Sequence, residues 1–176
     1  LVLDMATSAA AAGKVNVAVA RGDSVPEGWV IGSDGHPTTD PTQLKQGGAL
    51  LPLGGPDGGY KGTGLAVMVE ILCGLLTGLG FGVEPTGKHN DGCFIAVFNV
   101  AAFRSVKEFK AEVADFARYL KDTPPAVGSQ GVLYPGEIEH AKEEARRRDG
   151  IDIEDATWGK LTDLATEFGL KDTLGM

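Results

Sequence analysis

Residues 50–64 read LLPLGGPDGGYKGTG and place six glycines around one tyrosine and one lysine, directly ahead of an apolar segment. We expect a glycine-rich loop here, followed by a buried helix from about Lys61 to Gly78. A glycine-rich approach to a helix N-terminus offers unpaired N–H groups and the positive end of the helix dipole, and Lys61 adds a formal charge. The stretch therefore predicts an anion site, and the alternative is a tight turn with a solvated lysine.

The two standard nucleotide-binding motifs do not fit this stretch. The P-loop requires Gly-Lys followed by Ser or Thr, whereas Lys61 follows Tyr60 and precedes Gly62. The dinucleotide fingerprint G-x-G-x-x-G could begin at Gly62, but Val67 stands where the third glycine belongs. The acidic residue of that motif would have to be Glu84, which lies in a segment flanked by Gly and Pro. Both templates are therefore rejected, and the general anion-site interpretation remains.

A second candidate site lies at the start of the chain. Leu1–Leu3 predicts a short buried strand that ends at Asp4, and either Thr7 or Ser8 is a candidate N-cap for a helix over 14–21. An acid at the end of a strand, followed by hydroxyls at a helix start, is a common cofactor-contact arrangement in α/β proteins. The alternative is a simple helix cap with the acid in a turn.

The rest of the chain predicts a mixed α/β fold without regular βαβ alternation. Pro and Gly clusters mark loops, apolar runs mark strands, and apolar residues at helical spacing mark helices. Ser105 and Glu108 form a capping box, which indicates a helix start. We expect a mixed sheet with flanking helices and a buried glycine-rich helix. The further elements expected are a loop over 21–41, strands over 93–98 and 132–134, and helices over 105–120, over 135–150 and from about Trp158 to Gly169.

Composition and charge limit the classes of function. The chain has 176 residues, 43% hydrophobic and 23% charged, which suits one globular domain or two small ones. Its net charge is −8 and its basic run is Arg146–Arg148, so we expect no nucleic-acid partner. The most apolar window, 65–81, carries Glu70 and three glycines, so we expect no membrane span.

Cysteine and histidine usage gives no motif for a metal or a nucleophile. Cys73 and Cys93 lie in apolar runs without metal-ligand spacing, which predicts buried free thiols and a cytoplasmic location. His36, His89 and His140 follow no catalytic or metal-binding pattern. We therefore expect no metal site.

Seven short motifs, in order along the chain, carry a more specific signal. They are LDMATS (3–8), Gly13-Lys14, PEGW (26–29), PTTDP (37–41), LLPLGG with GGYKGTGLA (50–66), Phe81-Gly82 and YPGEIE (134–139). Together they closely resemble the malate/L-lactate dehydrogenase family of the second type. That family includes ureidoglycolate dehydrogenase, 2,3-diketogulonate reductase, sulfolactate dehydrogenase and cyclic-imino-acid reductases. The match spans essentially the whole chain but corresponds to the second half of a family member, and the apolar start at Leu1 accordingly predicts a fragment.

The resemblance implies a nicotinamide cofactor, NAD or NADP, held in a fold that is not of the Rossmann type. It also implies a cofactor-binding domain over 1–104 and a helical part over 105–176 that packs back on the N-terminal half of the family. The cofactor contacts that it implies, motif by motif, are Asp4, Met5, Ala6, Thr7, Ser8, Lys14, Tyr60, Lys61, Gly136 and Glu137.

The reaction implied by the resemblance is reversible hydride transfer between a 2-hydroxy acid and a 2-oxo acid. The family's proton-transferring His and substrate-binding Arg belong to its N-terminal half, so we expect the catalytic residues outside this chain and no turnover by the chain alone. The family forms homodimers, and the apolar helix with Gly74 and Gly78 is expected to take part in that packing. Two alternatives remain, a non-catalytic interaction module and an ATP-using transferase built on the glycine-rich stretch.

Overall fold

The computed structural model describes residues 1–82 and 92–174, so the expectations for Glu84 and His89 lie outside the described residues. The strands are β1 (Val30–Ile31), β2 (Pro37–Thr38) and β3 (Ala49–Leu50), and 3-10 turns cover Pro41–Lys45 and Val100–Ala102. The helices are α1 (Ala12–Arg21), α2 (Gly55–Glu70), α3 (Val106–Asp122), α4 (Glu137–Asp149), α5 (Asp155–Glu167) and α6 (Lys171–Leu174).

The chain divides into two compact units, and each is described by itself. The helical unit comprises Leu1–Asp4 and Phe94–Ile151. The sheet unit comprises the described residues of Met5–Cys93 and Asp152–Met176. This is a division by packing, and the predicted functional division after residue 104 stays a prediction.

The core of the sheet unit is small and centred on β1. The sheet is antiparallel with the order β2-β1-β3, and Val30 of β1 lies opposite Thr38 on one side and Leu50 on the other. Val30 is fully buried and packs with Val15 of α1 and with Val25. Because these three side chains are β-branched and hold a single rotamer, their contact ties α1 to the sheet with little freedom.

The structure corrects the predicted strands and the sheet type. The sheet is antiparallel rather than mixed, and two of its strands lie within 21–41, where the sequence predicts a loop. Pro37 is tolerated there because β2 is an edge strand. The apolar runs 1–3, 93–98 and 132–134 lie outside the strands. In the first run the side chains are 55–72% exposed, and Val2 N–H donates a single hydrogen bond to Pro135 O (3.0 Å).

The helix α2 begins before the residue that the sequence predicts. Its N-cap is Gly54, at a φ of +100°, and its first residue is Gly55. The glycine-rich stretch is therefore helix rather than loop, and Lys61 lies in the second turn. The dipole argument for an anion beside Lys61 is weakened, because the free N–H groups lie at the first turn.

The burial of α2 also differs from the prediction. The helix continues into a π-helical turn over Ile71–Leu75. Its glycines at 59, 62 and 74 are buried, whereas its large apolar side chains are about half exposed, with 48% for Leu65 and 54% for Met68. A helix that is apolar on every face is usually buried. Burial of α2 is not seen in the described chain and stays a prediction for the complete protein.

The helices of the helical unit begin and end close to the predicted positions, although α3 extends two residues past the predicted end at Leu120 and α4 begins two residues after the predicted start at Pro135. Ser105 caps α3, and its Oγ accepts the Glu108 N–H at 3.4 Å. The caps of α4 are Gly136 and Gly150. None of the described residues of this unit is buried, and Phe116 of the α3 apolar stripe is 52% exposed. Local capping signals therefore define these helices, without a buried core beneath them.

Asp40 of the PTTDP motif caps the 3-10 turn Pro41–Lys45. Its carboxylate accepts the Thr42 hydroxyl at 2.7 Å and the Thr42 N–H at 2.9 Å. These two hydrogen bonds hold the pKa of Asp40 below the usual aspartate value. The motif is thus explained by turn capping, the role that Asp commonly has in turns.

We expect Asp40→Asn to flatten the acid limb of the stability curve. A lowered pKa in the folded state gives stability that is complete above the unfolded value, about 3.9, and is lost as the pH falls through the folded value. The melting temperature of the unsubstituted protein should therefore fall more steeply than that of Asp40→Asn between about pH 5 and pH 2. Asp34→Asn, which removes a carboxylate bonded to one main-chain N–H, is the matched control. Parallel curves for Asp40→Asn and the unsubstituted protein would contradict the capping role.

Candidate functional site

The hydroxyl residues Thr7 and Ser8, of the predicted site at the start of the chain, lie beside the segment that leads into α2. Leu53 N–H donates to Thr7 O at 2.9 Å, and Ser8 forms an antiparallel bridge with Pro52. Neither Thr7 nor Ser8 is the N-cap of α1, which begins at Ala12. Their main chain is held instead by the segment 51–53, so their position is set by tertiary contact and not by a helix end.

The same segment, residues 51–53, also contacts the predicted site in the glycine-rich stretch. Gly62 N–H donates to Leu53 O at 3.1 Å, and a Cβ added to Gly62 would lie 2.5 Å from that oxygen. A Cβ added to Gly59 would lie 2.9 Å from Pro52 Cγ. Side chains do not fit into such close approaches, so glycine is required at both positions. Leu53 therefore forms main-chain hydrogen bonds with both predicted sites of the sheet unit, at Thr7 and at Gly62. The sequence pattern does not predict these bonds.

Tyr60 and Lys61 lie on the outer surface of α2. Tyr60 is 73% exposed, and Lys61 Nζ lies 5.7 Å from the centre of its ring. Within the described part of the chain Lys61 makes no ion pair. A cation without a carboxylate partner, next to an exposed aromatic ring with a hydroxyl, suits an anionic group attached to a flat ring.

Three more predicted cofactor contacts belong to the sheet unit, namely Met5, Ala6 and Lys14. Met5 is 47% exposed, and Ala6 is also exposed. Lys14 lies in the first turn of α1 and lines an open groove of about 430 Å³ together with Trp29. The hydrogen bonds around Leu53 do not involve Lys14, so its part in the site stays a prediction.

The helical unit brings Asp4 next to the start of α4. Both line a groove of about 250 Å³ formed by Val2–Asp4, Leu133–Gly136, Ile138 and Glu139. Gly136 has a φ of +96°, and a Cβ added to it would lie 3.1 Å from Val2 O. Two features favour glycine at position 136, the left-handed backbone conformation and the close approach of residue 2.

Glu137 is engaged by a residue that sequence reasoning missed. Lys121 Nζ lies 2.6 Å from Glu137 Oε1, and Tyr134 N–H donates to Glu137 Oε2 at 3.3 Å. The pKa of Glu137 is lowered, chiefly by the hydrogen bond from Lys121. No motif marks Lys121. The available signal is a lysine directly after one predicted helix and a glutamate in the first turn of the next.

The histidines, cysteines and acidic residues build no metal site among residues 1–82 and 92–174. Both cysteines are free thiols, but Cys93 is exposed and Cys73 is partly exposed, so the predicted burial is wrong. His36 N–H donates to Asp34 Oδ1 at 3.0 Å in the turn after β1. His140 Nε2 lies 3.6 Å from Glu144 Oε1 on the surface of α4. The described residues contain no group of three or more His, Cys, Asp or Glu placed to hold a metal, and none of their helices is long and apolar enough to cross a membrane.

Comparison with known proteins adds a family and several relatives. Residues 1–162 match the family model described as malate/L-lactate dehydrogenase. L-lactate dehydrogenase of Cupriavidus necator is 42% identical over 176 residues, covering 97% of this chain and 49% of that protein. Ureidoglycolate dehydrogenase (NAD(+)) of Escherichia coli is 36% identical over 162 residues, covering 88% and 44%.

A solved structure agrees at the level of the fold. The crystal structure of malate dehydrogenase from Entamoeba histolytica matches with a TM-score of 0.77 and 27% identity, covering 95% of this chain and 50% of that one. The chain thus spans about half the length of the relatives that it matches.

Proposed function

This chain belongs to the malate/L-lactate dehydrogenase family, and from that premise we propose that the complete protein is an NAD(P)-dependent oxidoreductase. It interconverts a 2-hydroxy acid and a 2-oxo acid. The observation that carries the proposal is the similarity, along almost the whole chain, to proteins named as dehydrogenases of lactate and malate. Each of those acids bears a hydroxyl group beside its carboxylate, so one reaction class accounts for both names.

The chemistry of the available groups fits a dinucleotide. The pyrophosphate needs a cation, and Lys61 is exposed and carries no ion pair with the described residues. The ribose hydroxyls need acceptors, and Asp4 and Glu137 supply carboxylates. Glu137 already accepts from Lys121 and Tyr134 N–H, but a carboxylate has about four acceptor positions, so it can accept one hydrogen bond more.

The proposal assigns a role to each contact within its own unit. In the sheet unit Lys61 binds phosphate, Tyr60 offers its ring and hydroxyl, and Thr7 and Ser8 offer hydroxyls. Met5 and Ala6 offer apolar contact, and Lys14 is a second cation. In the helical unit Asp4 and Glu137 accept from hydroxyl groups, and Gly136 lets the ligand approach the backbone. Whether the cofactor is NAD or NADP stays open within this proposal.

A bound nicotinamide would supply hydride chemistry at C2, giving a hydride to the 2-oxo acid or taking one from the 2-hydroxy acid. Reduction also requires a proton to reach the C2 oxygen, and oxidation requires the C2 hydroxyl to lose one. The family resemblance implies that the proton-transferring His and the substrate-binding Arg belong to the N-terminal half of the family, so we propose that the proton donor and the group that binds the substrate carboxylate lie outside this chain. This chain then acts by binding and orienting the cofactor.

The test is reduction of pyruvate and oxaloacetate by the complete protein with NADH or NADPH, followed by nicotinamide absorbance. We expect turnover of at least one of these 2-oxo acids, and none from the 176-residue chain by itself. Turnover by the chain alone would contradict the placement of the proton donor. A complete protein that neither binds NADH nor NADPH nor reduces a 2-oxo acid would instead favour the non-catalytic interaction module.

We further propose that the protein is a homodimer located in the cytoplasm, with α2 in the dimer packing. The half-exposed apolar side chains of this helix support the homodimer, because they need a covering surface. The free thiols of Cys73 and Cys93 support the cytoplasmic location, because such thiols persist in reducing compartments. A monomer mass for the complete protein in sedimentation equilibrium would contradict the dimer.

A further inference from the structure

An ion pair joins the last turn of α3 to the first turn of α4. Lys121 Nζ lies 2.6 Å from Glu137 Oε1 and bridges the turn-rich residues 123–136 between the helices. The side chain of Glu137 is 24% exposed and that of Lys121 is 40% exposed. The pair is therefore partly shielded from water, and it fixes where α4 begins relative to the end of α3.

The second oxygen of the Glu137 carboxylate extends this link into the groove beside Asp4. Oε2 accepts the Tyr134 N–H at 3.3 Å, so the carboxylate holds the turn over 134–137 in one conformation. That turn carries Gly136, which approaches Val2, and Pro135 O, which accepts the Val2 N–H at 3.0 Å. These contacts connect the Lys121 ammonium group, through Glu137 and the turn over 134–137, to the segment that ends at Asp4.

We propose that Lys121 is a positioning residue for the cofactor contacts at Asp4 and Gly136. It orients the Glu137 carboxylate, and that carboxylate holds the 134–137 turn against Val2. The inference rests on the proposed function, since it takes Asp4 and Gly136 as cofactor contacts. Lys121 also neutralises Glu137, so that an anionic cofactor meets a paired carboxylate instead of a free negative charge.

Three arginines of the helical unit are paired with other carboxylates. Arg104 forms a bidentate pair with Glu112, and Arg147 and Arg148 pair with Glu143 and Asp149. Shielding of the Lys121–Glu137 pair is only partial, and ion pairs that stay in contact with water contribute little to stability. The effect of losing Lys121 should therefore fall on the binding geometry of the groove more than on folding.

The test compares three variants of the complete protein in NADH and NADPH titrations and in steady-state assays. We expect Lys121→Met to raise the cofactor Kd about tenfold, by analogy with metal sites, in which loss of a residue that orients a ligand costs about tenfold or more in affinity. With saturating cofactor, kcat should stay within about twofold, because the 2-oxo acid and the reacting atoms are untouched. Lys121→Arg should restore most of the affinity, since it keeps the charge and the hydrogen bond. Lys110→Met, on the same helix and outside the described ion pairs, should match the unsubstituted protein.

Two readouts separate positioning from a structural role. In the Glu137→Gln background Lys121→Met should have little further effect on Kd, because the two residues act as one unit. An unchanged Kd in Lys121→Met would overturn the proposal, as would a lowered melting temperature together with weak binding that Lys121→Arg does not restore. The unsubstituted protein is titrated first. If it binds neither NADH nor NADPH, the proposed function itself fails, whereas normal binding with an insensitive Lys121→Met overturns this inference alone.

Discussion

Gly62→Ala is expected to lower the free energy of unfolding of the complete protein by about 1–3 kcal/mol, the usual cost of overpacking. The added Cβ would lie 2.5 Å from Leu53 O and 2.8 Å from Leu53 Cα. Both are main-chain atoms, and Leu53 N–H is bonded to Thr7 O, so the clash cannot be relieved by a side-chain rotation. Urea denaturation measures the loss, and cofactor affinity should fall with it because Lys61 is the adjacent residue.

Gly64→Ala, two residues further along α2, is the matched control. A Cβ at Gly64 meets nothing within 4 Å, so the substitution gains the higher helix propensity of alanine without a clash. It should raise the free energy of unfolding by about 0.5–1 kcal/mol. Opposite signs for the two variants would support the close approach of Gly62 to Leu53. If both substitutions stabilised the protein equally, the packing of α2 against residues 51–53 would be wrong.

Lys61→Ala in the complete protein is expected to raise KM for the cofactor about tenfold or more, the order of a charge-assisted hydrogen bond. The reason is the exposed ammonium group, which the described residues leave without a carboxylate partner. KM for the 2-oxo acid should change little, since the proposal gives Lys61 a phosphate contact and no substrate contact. Steady-state kinetics with each substrate varied in turn measures both constants.

Two controls make the Lys61 experiment specific. Lys45→Ala removes another lysine of the sheet unit, at the end of a 3-10 turn, and should leave both constants unchanged. Amine modification of Lys61 should be slowed by NADH and not by ATP. Protection by ATP would instead favour the alternative of an ATP-using transferase. Equal increases in the two KM values would contradict the assignment of Lys61 to the cofactor.

The sequence predicts well those elements that local chemistry determines. The cap at Ser105 and the stops at Gly150 and Gly169 are read from a few neighbouring residues, and α3, α4 and α5 begin or end close to them. Such signals act within one helical turn, so they do not depend on the rest of the fold.

Elements that depend on distant contacts are predicted poorly. The run Leu1–Leu3 is apolar enough for a strand, but Pro135, far along the chain, contacts it at a single hydrogen bond in place of a ladder. Six glycines in residues 50–64 favour a loop by composition. The helix from Gly55 onward is explained by the close contacts of Pro52 with Gly59 and of Leu53 with Gly62, which only glycine allows. The family motifs predict the candidate cofactor contacts. The hydrogen bonds of Leu53 and the ion pair of Lys121 are found in the structure alone, because no motif marks them.

Leu53 uses both halves of its main chain, its N–H towards Thr7 and its oxygen towards Gly62. The residues between Leu53 and Gly62 therefore form a span of fixed length with both ends anchored. Each residue inserted into a helix turns everything beyond it by about 100°. An insertion inside this span would either break the Gly62 contact or rotate Lys61 away from its present side of the helix. Natural or engineered changes in length should accordingly be tolerated in the loop after β1 and excluded between residues 53 and 62.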